Sequence, residues 1–399
     1  MQELKIAICG AGPAGLAAAI ALHRAGHEIH IFDQFEMPKP IGSGLILQPT
    51  GLAVLEWLGL GPRMRNLGAR IDRLFGKAAN RVVLDVQYAA LGDLRGLAVH
   101  RAGLFNVLYD CVMAQGQHIN TSHTINRLEH KYIITDEGQK LGPFDLIIDA
   151  LGSRSPLIPL ASAPDIRRKM PYGAIWASLP WPGAPFDGNA LEQRYERAAI
   201  MAGVLPIGRQ TETGHQQTAF FWSLKTADYP IWQREGLKIW KDRVQNLWPE
   251  TAELLSSITD PSQLTMASYH HHTLPLPYGQ NLVFIGDSAH STSPQLGQGA
   301  NMALMDVAVL THALEANTSL ETALAAYAAG RRNHIKLYQA LSYAFTPFYQ
   351  SDSSVLPIMR DYLVPIAARL PPIQKLLANI VSGRLGLDSK TLALISPSR

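Results

Sequence analysis

Two glycine-rich segments, about 280 residues apart, contain the residues best suited to hold a charged organic cofactor. The first, GAGPAG, supplies Gly10, Gly12, Ala14 and Gly15 between an apolar run and an alanine-rich one. Such a turn lets backbone N–H groups approach a pyrophosphate, and the N-terminus of the following helix favours negative charge. Asp33 ends the next apolar run, where an acid binds ribose hydroxyls. The segment predicts a dinucleotide site without distinguishing FAD from NAD.

The second segment, NLVFIGDSAHSTSPQLGQGAN, again places glycine and an acid directly after an apolar run. We interpret it as a site that closes over the other end of the same long cofactor. Both segments together, in this order and at this separation, indicate FAD. The candidate cofactor residues here are Gly286, Asp287, Pro294, Gly297, Gln298, Gly299, Ala300 and Asn301.

The composition is typical of an enzyme with a sizeable core. The chain has 399 residues, of which 47 % are hydrophobic and 17 % charged. Its net charge is only +3 and no run of Lys and Arg occurs, which argues against nucleic-acid binding. Cys9 and Cys111 are too few for a disulfide framework. With no signal peptide and no membrane-spanning stretch expected, a cytoplasmic location is predicted.

Periodicity predicts an α/β fold in which two domains are interleaved. A Rossmann-like FAD-binding domain of the glutathione-reductase type is expected from residues 1–70, 95–165 and 275–325. Residues 71–94 and 166–274 contain alternating, aromatic-rich runs, which favour an antiparallel-sheet substrate domain. Residues 326–399 form a proline-interrupted helical segment in this prediction.

With these motifs in place, the chain resembles the class A flavoprotein monooxygenases, the family of para-hydroxybenzoate hydroxylase, over nearly its whole length. The resemblance rests on GAGPAG, GSGLILQPTGLAVLEWLGL, VHRAGLFNVL and GDSAHSTSPQLGQGAN. The C-terminal helices are similar to those of the ubiquinone-biosynthesis hydroxylases.

The resemblance implies specific contacts with the cofactor. Arg101 would lie near the flavin, Asp287 would bind the ribitol chain and Pro294 would lie against the flavin ring. The backbone of Gly297–Asn301 would bind the pyrimidine edge, and Gly44 and Gln48 would belong to the same site. The implied reaction is metal-free: NAD(P)H reduces FAD, O2 gives a flavin hydroperoxide, and this hydroxylates an aromatic or similarly electron-rich apolar ring.

One segment departs from the family. Members usually carry Gly-Ala-Asp-Gly where this chain has Asp149-Ala150-Leu151-Gly152, and Ile158 replaces a distal arginine. Because Leu151 cannot accept a hydrogen bond through its side chain, Asp149 is the nearest substitute, beside the retained Gly152. Without that substitution we expect slow reduction by NAD(P)H, with reduced flavin supplied by a separate reductase.

The predicted second sheet contains candidate substrate contacts and a candidate base. Tyr172, Trp176, Phe220 and Trp222 are aromatic residues that could form an apolar pocket, although each is also an ordinary core residue by type. In the run Tyr269-His270-His271-His272, neighbours in a strand point to opposite faces, so at most His270 and His272 share a side. We predict Tyr269, His270 and His272 as catalytic candidates, because a neutral histidine could deprotonate a phenol. Pro294 of the second glycine-rich segment is the fourth catalytic candidate.

Three other functions share these features. A flavin-dependent halogenase has the same cofactor fold, but its Trp-x-Trp-x-Ile-Pro signature is absent. A geranylgeranyl-reductase-like enzyme is compatible with the altered Leu151 segment. The third alternative is a non-catalytic flavin-binding module at the membrane periphery. Weak membrane association through the C-terminal helices is expected in this chain in any case.

Overall fold

The fold was analysed in a computed structural model, which describes residues 2–37, 42–367, 370–388, 391 and 393. The strands are β1 (Lys5–Cys9), β2 (Glu28–Phe32), β3 (Gly44–Leu47), β4 (Ala69–Ile71), β5 (Arg73–Ala78), β6 (Arg81–Gln87), β7 (Gly96–His100), β8 (Ile119–Asn120), β9 (Ile125–Glu129), β10 (Tyr132–Thr135), β11 (Lys140–Leu141), β12 (Leu146–Asp149), β13 (Ile166–Pro180), β14 (Ala190–Glu196), β15 (Ile200–Gly208), β16 (Gln217–Lys225), β17 (Thr265–Thr273), β18 (Leu282–Phe284) and β19 (His290–Ser291). The helices are α1 (Pro13–Arg24), α2 (Pro49–Trp57), α3 (Gly61–Leu67), α4 (Arg101–Ala114), α5 (Tyr229–Leu247), α6 (Ala252–Ser256), α7 (Gly299–Ala316), α8 (Leu320–Tyr349), α9 (Leu356–Ala367) and α10 (Pro371–Val381).

A five-stranded parallel sheet carries both glycine-rich segments. Its order is β18-β12-β1-β2-β8, so the strand before each segment lies within one sheet. The three strands β1, β12 and β18 are apolar apart from Lys5 and Asp149 at their ends, as expected for a sheet that is covered on both faces. Helices α1, α4 and α7 pack on one face, and the three-stranded meander β9–β11 covers the other. The alanine-rich sequence of α1 allows it to pack closely.

An eight-stranded sheet forms the second layer. Its order is β19-β17-β13-β16-β15-β14-β5-β6, and all neighbours are antiparallel except β14 and β5. Helix α5 covers one face with its tryptophans. The small sheet β3-β7-β4 lies against the other face, where a Cβ on Gly44 would overlap the side chain of Ile207. Ser288 connects the two layers: its hydroxyl donates to Asp149 O at the carboxyl end of β12, and its carbonyl oxygen accepts from His272 Nε2 of β17 in the eight-stranded sheet.

The C-terminal helices join both layers. Helix α8 packs along α7, while α9 and α10 pack on the edge strand β6. Part of the predicted C-terminal segment, residues 368–369, 389–390, 392 and 394–399, lies outside the described residues. Among the helices that the structure describes, none combines the length and the apolarity that crossing a bilayer requires.

Candidate active site

The first glycine-rich turn is held in place by close packing. Gly10 has a φ of +106°, and a Cβ at this position would lie 2.5 Å from Ala150 O. A Cβ on Gly15 would overlap Gly10 O. Gly12 differs, since a Cβ there would meet no atom within 4 Å. This glycine therefore borders open space at the N-terminus of α1, where no side chain caps the first turn.

Asp33 organises this turn from the carboxyl end of β2. Its Oδ2 accepts a hydrogen bond from Ala11 N at 2.7 Å, and its Oδ1 accepts one from Phe35 N at 3.0 Å. The side chain is only 8 % exposed. The carboxylate thus fixes the backbone that would face a pyrophosphate, and its contact with a ribose stays a prediction.

A second helix N-terminus repeats this arrangement. Helix α7 begins at Gly299 without a side-chain cap, and a Cβ on Gly299 would meet nothing within 4 Å. Gly297 reaches the required turn with a φ of +60°. A Cβ on Gly286 would lie 3.1 Å from Ala14 Cβ and 3.3 Å from Ala303 Cβ, so the first turns of α1 and α7 meet at Gly286. We call the space that borders these two uncapped N-termini the cleft. These features fit a cofactor with a pyrophosphate and a polar ring edge.

Asp287, Arg101 and Tyr269 lie near one another in this cleft. The Asp287 side chain is exposed to the cleft, yet the surrounding protein desolvates it enough to raise its pKa. Arg101, His290 and His272 offset part of that increase. Burial raises the pKa of Tyr269 to about 12, and Arg101 again acts in the opposite direction. Arg101 therefore acts electrostatically on residues from both layers.

Sequence reasoning missed a buried polar cluster behind Gly286. Asp306 Oδ2 accepts hydrogen bonds from Gly286 N at 2.8 Å and from His290 Nε2 at 2.7 Å, and its Oδ1 accepts one from Arg331 Nε at 2.7 Å. Burial alone would raise the pKa of Asp306, but His290 and Arg331 lower it below its ordinary value. The available signal was an acid inside the apolar run of α7.

Gln48 and Asn301 connect the two glycine-rich regions through buried side chains. Asn301 Oδ1 accepts from Gln48 N at 2.7 Å, and Asn301 Nδ2 donates to Ile46 O and Gly297 O. Tyr88 donates its hydroxyl hydrogen to Gln48 Oε1 at 2.5 Å. Gln48 and Asn301 thus fix the loops that border the cleft.

The altered segment keeps its carboxylate away from the cleft. Asp149 is fully buried, where its Oδ1 accepts from Leu151 N at 2.9 Å and its Oδ2 accepts from the Ser155 hydroxyl. Burial raises the pKa of Asp149 to about 6. Leu151 packs against the apolar cluster beneath the meander. Both oxygens of the Asp149 carboxylate therefore accept hydrogen bonds from its own loop, and its use in place of the missing acid stays a prediction.

The aromatic face of the second sheet differs from the predicted set. Trp176 donates from Nε1 to the Tyr269 hydroxyl at 3.0 Å, and its ring lies 4.7 Å from that of Phe221. Tyr172 lies on the same side of β13, with its hydroxyl donating to Asp352 at 2.7 Å. This face, defined by Trp176, Phe221 and Tyr269, is called the aromatic face below.

Two of the predicted substrate contacts lie elsewhere. Phe220 and Trp222 are on the opposite side of β16, buried beneath α5 with Trp240. Alternation along a strand explains the difference, because Phe221 and its two neighbours must face opposite sides. Sequence alone did not show which side α5 covers.

The same alternation separates the histidines. His272 is fully buried and donates from Nε2 to Ser288 O at 2.9 Å, while its role as a base stays a prediction. His270 shares that side of β17 with His272, near Arg154, Arg167 and Lys169, which lower its pKa after desolvation. His271 lies on the Tyr269 side instead, and its Nδ1 is 3.1 Å from Gln339 Oε1. The two predicted histidines thus point away from the aromatic face.

Comparison with known proteins identifies the family. A model described as an FAD binding domain matches residues 3–131 and 203–340, about two thirds of the chain. Hispidin-3-hydroxylase of Neonothopanus nambi is 26 % identical over 392 residues, with 86 % of this chain and 88 % of the relative covered. The 6-hydroxynicotinate 3-monooxygenase of Pseudomonas fluorescens is 25 % identical, with 86 % and 91 % covered.

Solved structures agree with the fold. Klebsiella pneumoniae HpxO complexed with FAD and uric acid superposes with a TM-score of 0.80 at 20 % identity, covering 96 % of this chain and 98 % of that one. A tetrameric 2-methyl-3-hydroxypyridine-5-carboxylic acid oxygenase gives 0.77 at 20 % identity, covering 92 % and 98 %. The predicted fold class, FAD cofactor and monooxygenase class are confirmed. The chain belongs to the FAD binding domain family, and its relatives are FAD-dependent aromatic monooxygenases and hydroxylases.

Proposed function

We propose that this FAD-dependent monooxygenase hydroxylates an aromatic or heteroaromatic ring that already carries an electron-donating group, with O2 as co-substrate. The observation that carries the proposal is that Arg101 acts electrostatically on both Asp287, beside two uncapped helix N-termini, and Tyr269 of the aromatic face. The names of the relatives support the substrate class, since they specify 6-hydroxynicotinate, 3-amino-4-hydroxybenzoate and urate.

When bound, FAD supplies the oxygen-activating chemistry. The chain's own residues bind and shield the reactants. The first turns of α1 and α7 would hold the negatively charged and polar parts of the cofactor. Trp176 and Phe221 would exclude water from the reacting ring, because their side chains are packed and apolar. Arg101 and Asp287 would set the charge at the cleft floor.

We assign substrate deprotonation to His271, the histidine on the Tyr269 side of β17. Gln339 Nε2 donates to His272 O and Ser291 O, which directs Gln339 Oε1 toward His271 Nδ1. An amide oxygen only accepts, so Nδ1 carries the proton and Nε2 keeps a lone pair. Desolvation lowers the pKa of His271 and favours its neutral form. Its Nε2 is buried and has no hydrogen-bond partner among the described residues, so a ring hydroxyl can give its proton to this atom only after the surrounding side chains move.

NAD(P)H is the proposed source of electrons, with slow direct reduction because the altered segment lacks its acid. A separate flavin reductase is the proposed alternative supply. The two free cysteines support a cytoplasmic location. Weak membrane contact through the helices of residues 326–399 is part of the proposal.

Stopped-flow spectroscopy of the FAD-loaded protein tests this function. NADH and NADPH are mixed with it in the presence and absence of hydroxylated aromatic and heteroaromatic rings, and 18O2 incorporation into product is measured by mass spectrometry. One labelled oxygen per product supports the proposal, and formation of hydrogen peroxide alone with every ring contradicts it. His271→Gln should remove an ionisation from the kcat pH profile, while His270→Gln keeps that profile.

A further inference from the structure

An exposed apolar surface covers the outer side of α9 and continues onto α10. Of sixteen exposed large apolar side chains among the described residues, eight lie between Val355 and Leu376. Those along α9 are 43–68 % exposed and follow a spacing of three and four that places them on one side of the helix. This surface, called the α9 face below, consists of Val355, Ile358, Met359, Tyr362, Leu363 and Ile366, with Leu370 and Leu376 beyond it. Exposed apolar surfaces of this extent mark interaction sites.

Arg360 fixes the orientation of this helix. Its side chain is buried, and its guanidinium lies 5.0 Å from the ring of Tyr195 and 5.4 Å from that of Tyr349. Arg360 Nη1 also donates to Phe348 O at 3.0 Å. Because these contacts hold Arg360 inward, the α9 face stays outward. The cluster behind the helix includes Phe221 of the aromatic face.

Cations lie at the border of the same surface. Among the described residues from 350 onward, three Lys and Arg equal three Asp in number, but Arg360 pairs with Asp361, and Asp352 pairs with Lys225. Arg81 lies 4.1 Å over the ring of Tyr362 and donates to its hydroxyl at 3.1 Å. Lys375 and Arg384 line a hollow of about 490 Å³ beside α10. Cations therefore border the apolar surface.

We infer that the α9 face docks on the surface of a bilayer that contains anionic lipids. The aliphatic side chains enter the boundary between headgroups and acyl chains, while Arg81, Lys375 and Arg384 contact lipid phosphates. A second copy of the chain is disfavoured as the occupant, because it would bring the cations Arg81, Lys375 and Arg384 of both copies to one interface, whereas lipid phosphates would pair with them. Docking of this kind needs no helix that spans the membrane, and it places the bilayer behind the aromatic face.

Vesicle flotation of the FAD-loaded protein tests the inference. Vesicles of phosphatidylcholine alone are compared with vesicles in which about a quarter of the lipid is phosphatidylglycerol. We expect binding to the anionic vesicles that weakens at high salt. The double variant Ile358→Gln/Ile366→Gln should lower the partition coefficient by about tenfold or more, since both side chains enter the acyl boundary. Lys375→Glu/Arg384→Glu should lower it on anionic vesicles only.

The matched control is Ile231→Gln/Ile239→Gln, which changes two similarly exposed isoleucines on α5. This control should bind vesicles like the unchanged protein. Equal losses in the control and the α9 variant would overturn the inference, as would absence of binding to anionic vesicles at low salt. A concentration-dependent dimer that the α9 variant abolishes would also overturn it. Flavin reduction and product formation should be unchanged in all these variants, so failure here is distinguishable from failure of the proposed reaction.

Discussion

At the scale of single residues, Gly12 offers the sharpest test of the cofactor cleft. A methyl group at this position would contact no protein atom, so Gly12→Ala should fold normally. The same methyl group would occupy the space beside the N-terminus of α1, and we expect FAD affinity to fall by about tenfold or more, equivalent to about 1.4 kcal/mol. Fluorescence titration of the apoprotein with FAD measures this change.

The matched control for this variant is Gly188→Ala. Gly188 also has room for a methyl group and lies in the connection between β13 and β14, away from the cleft. Its FAD affinity and its melting temperature should be unchanged. An unchanged FAD affinity in Gly12→Ala would show that the pyrophosphate of FAD does not bind at this turn.

Asp149 should leave a signature in the pH dependence of stability. Its pKa rises to about 6 in the folded state, so the folded protein retains a proton that the unfolded chain releases near pH 4. This contribution to stability is complete below about pH 4 and is lost as the pH rises through 6. Asp149→Asn removes it, so the stability of the variant relative to the unchanged protein should increase by about 1 kcal/mol between pH 5 and 7.

Denaturant unfolding at several pH values checks the Asp149 prediction, with Asp145→Asn as the control. Hydrogen bonding from Lys5 N depresses the pKa of Asp145, although partial burial opposes the shift. Both its folded and unfolded forms are therefore ionised in this range, and the relative stability of that variant should be constant. A flat profile for Asp149→Asn would contradict the buried, protonated carboxylate.

Residue types identified the cleft better than its supporting contacts. Gly10, Gly12 and Asp33 could be predicted because a tight turn followed by a helix has few alternatives in sequence. The ion pair between Asp306 and Arg331 could not be predicted. These residues are 25 positions apart on two different helices, and their pairing depends on how α7 and α8 pack. Asp149 lies two positions from the missing acid, but its side chain direction follows from the closure of its own loop.

At the scale of elements, β16 allows a direct test of which side faces the substrate. Phe221 and Phe220 are both buried aromatics in the same strand, on opposite sides. Phe221→Leu should change KM or the fraction of reduction cycles that yield product, because the aromatic face loses part of its wall. Phe220→Leu should have a similar stability cost without a kinetic effect, since it affects only the core beneath α5. Steady-state kinetics and thermal unfolding of both variants give the comparison.

Identical kinetic changes in Phe220→Leu and Phe221→Leu would show that the two sides of β16 do not differ in their contact with the substrate.

The strand β16 could be predicted from its apolar run, but the side that α5 covers could not. Both sides of β16 are buried from Thr218 to Leu224, and three aromatic residues follow in succession, so no alternation of apolar and polar residues identifies the side that α5 covers. The position of α5 decides the question.

The loop after β12 is the second element with a specific consequence. Leu151→Asp should restore an acid at the position that the family uses and accelerate flavin reduction by NAD(P)H, because a carboxylate can bind a hydroxyl or amide donor of the nicotinamide cofactor. Leu151→Asn is the control for polarity without charge. Stopped-flow reduction rates measure the effect, and an Asp variant that holds FAD but reduces no faster would contradict it.

At the scale of the whole molecule, a chain of buried hydrogen bonds connects the C-terminal helices to Gly286 in the second glycine-rich segment. Arg331 links Asp306 to His334, whose Nε2 donates to Gly383 O at 2.8 Å. Burial lowers the pKa of His334 to about 3, so the imidazole is neutral and accepts from Arg331. Gln298 adds a parallel contact by donating to Val381 O at 2.6 Å. The end of α10 is thus fixed to residues of the cofactor cleft.

Arg331→Met tests whether this connection supports the cleft as a unit. The change leaves Asp306 buried with only Gly286 N and His290 as partners, and removing one member of a buried ion pair typically costs 3–5 kcal/mol. We expect a lower melting temperature and weaker FAD binding, because Asp306 holds Gly286 N beside Asp287. Arg332→Met is the matched control, since Arg332 is exposed on the same helix. If Arg331→Met loses stability but binds FAD with full affinity, the connection to the C-terminal helices does not support FAD binding.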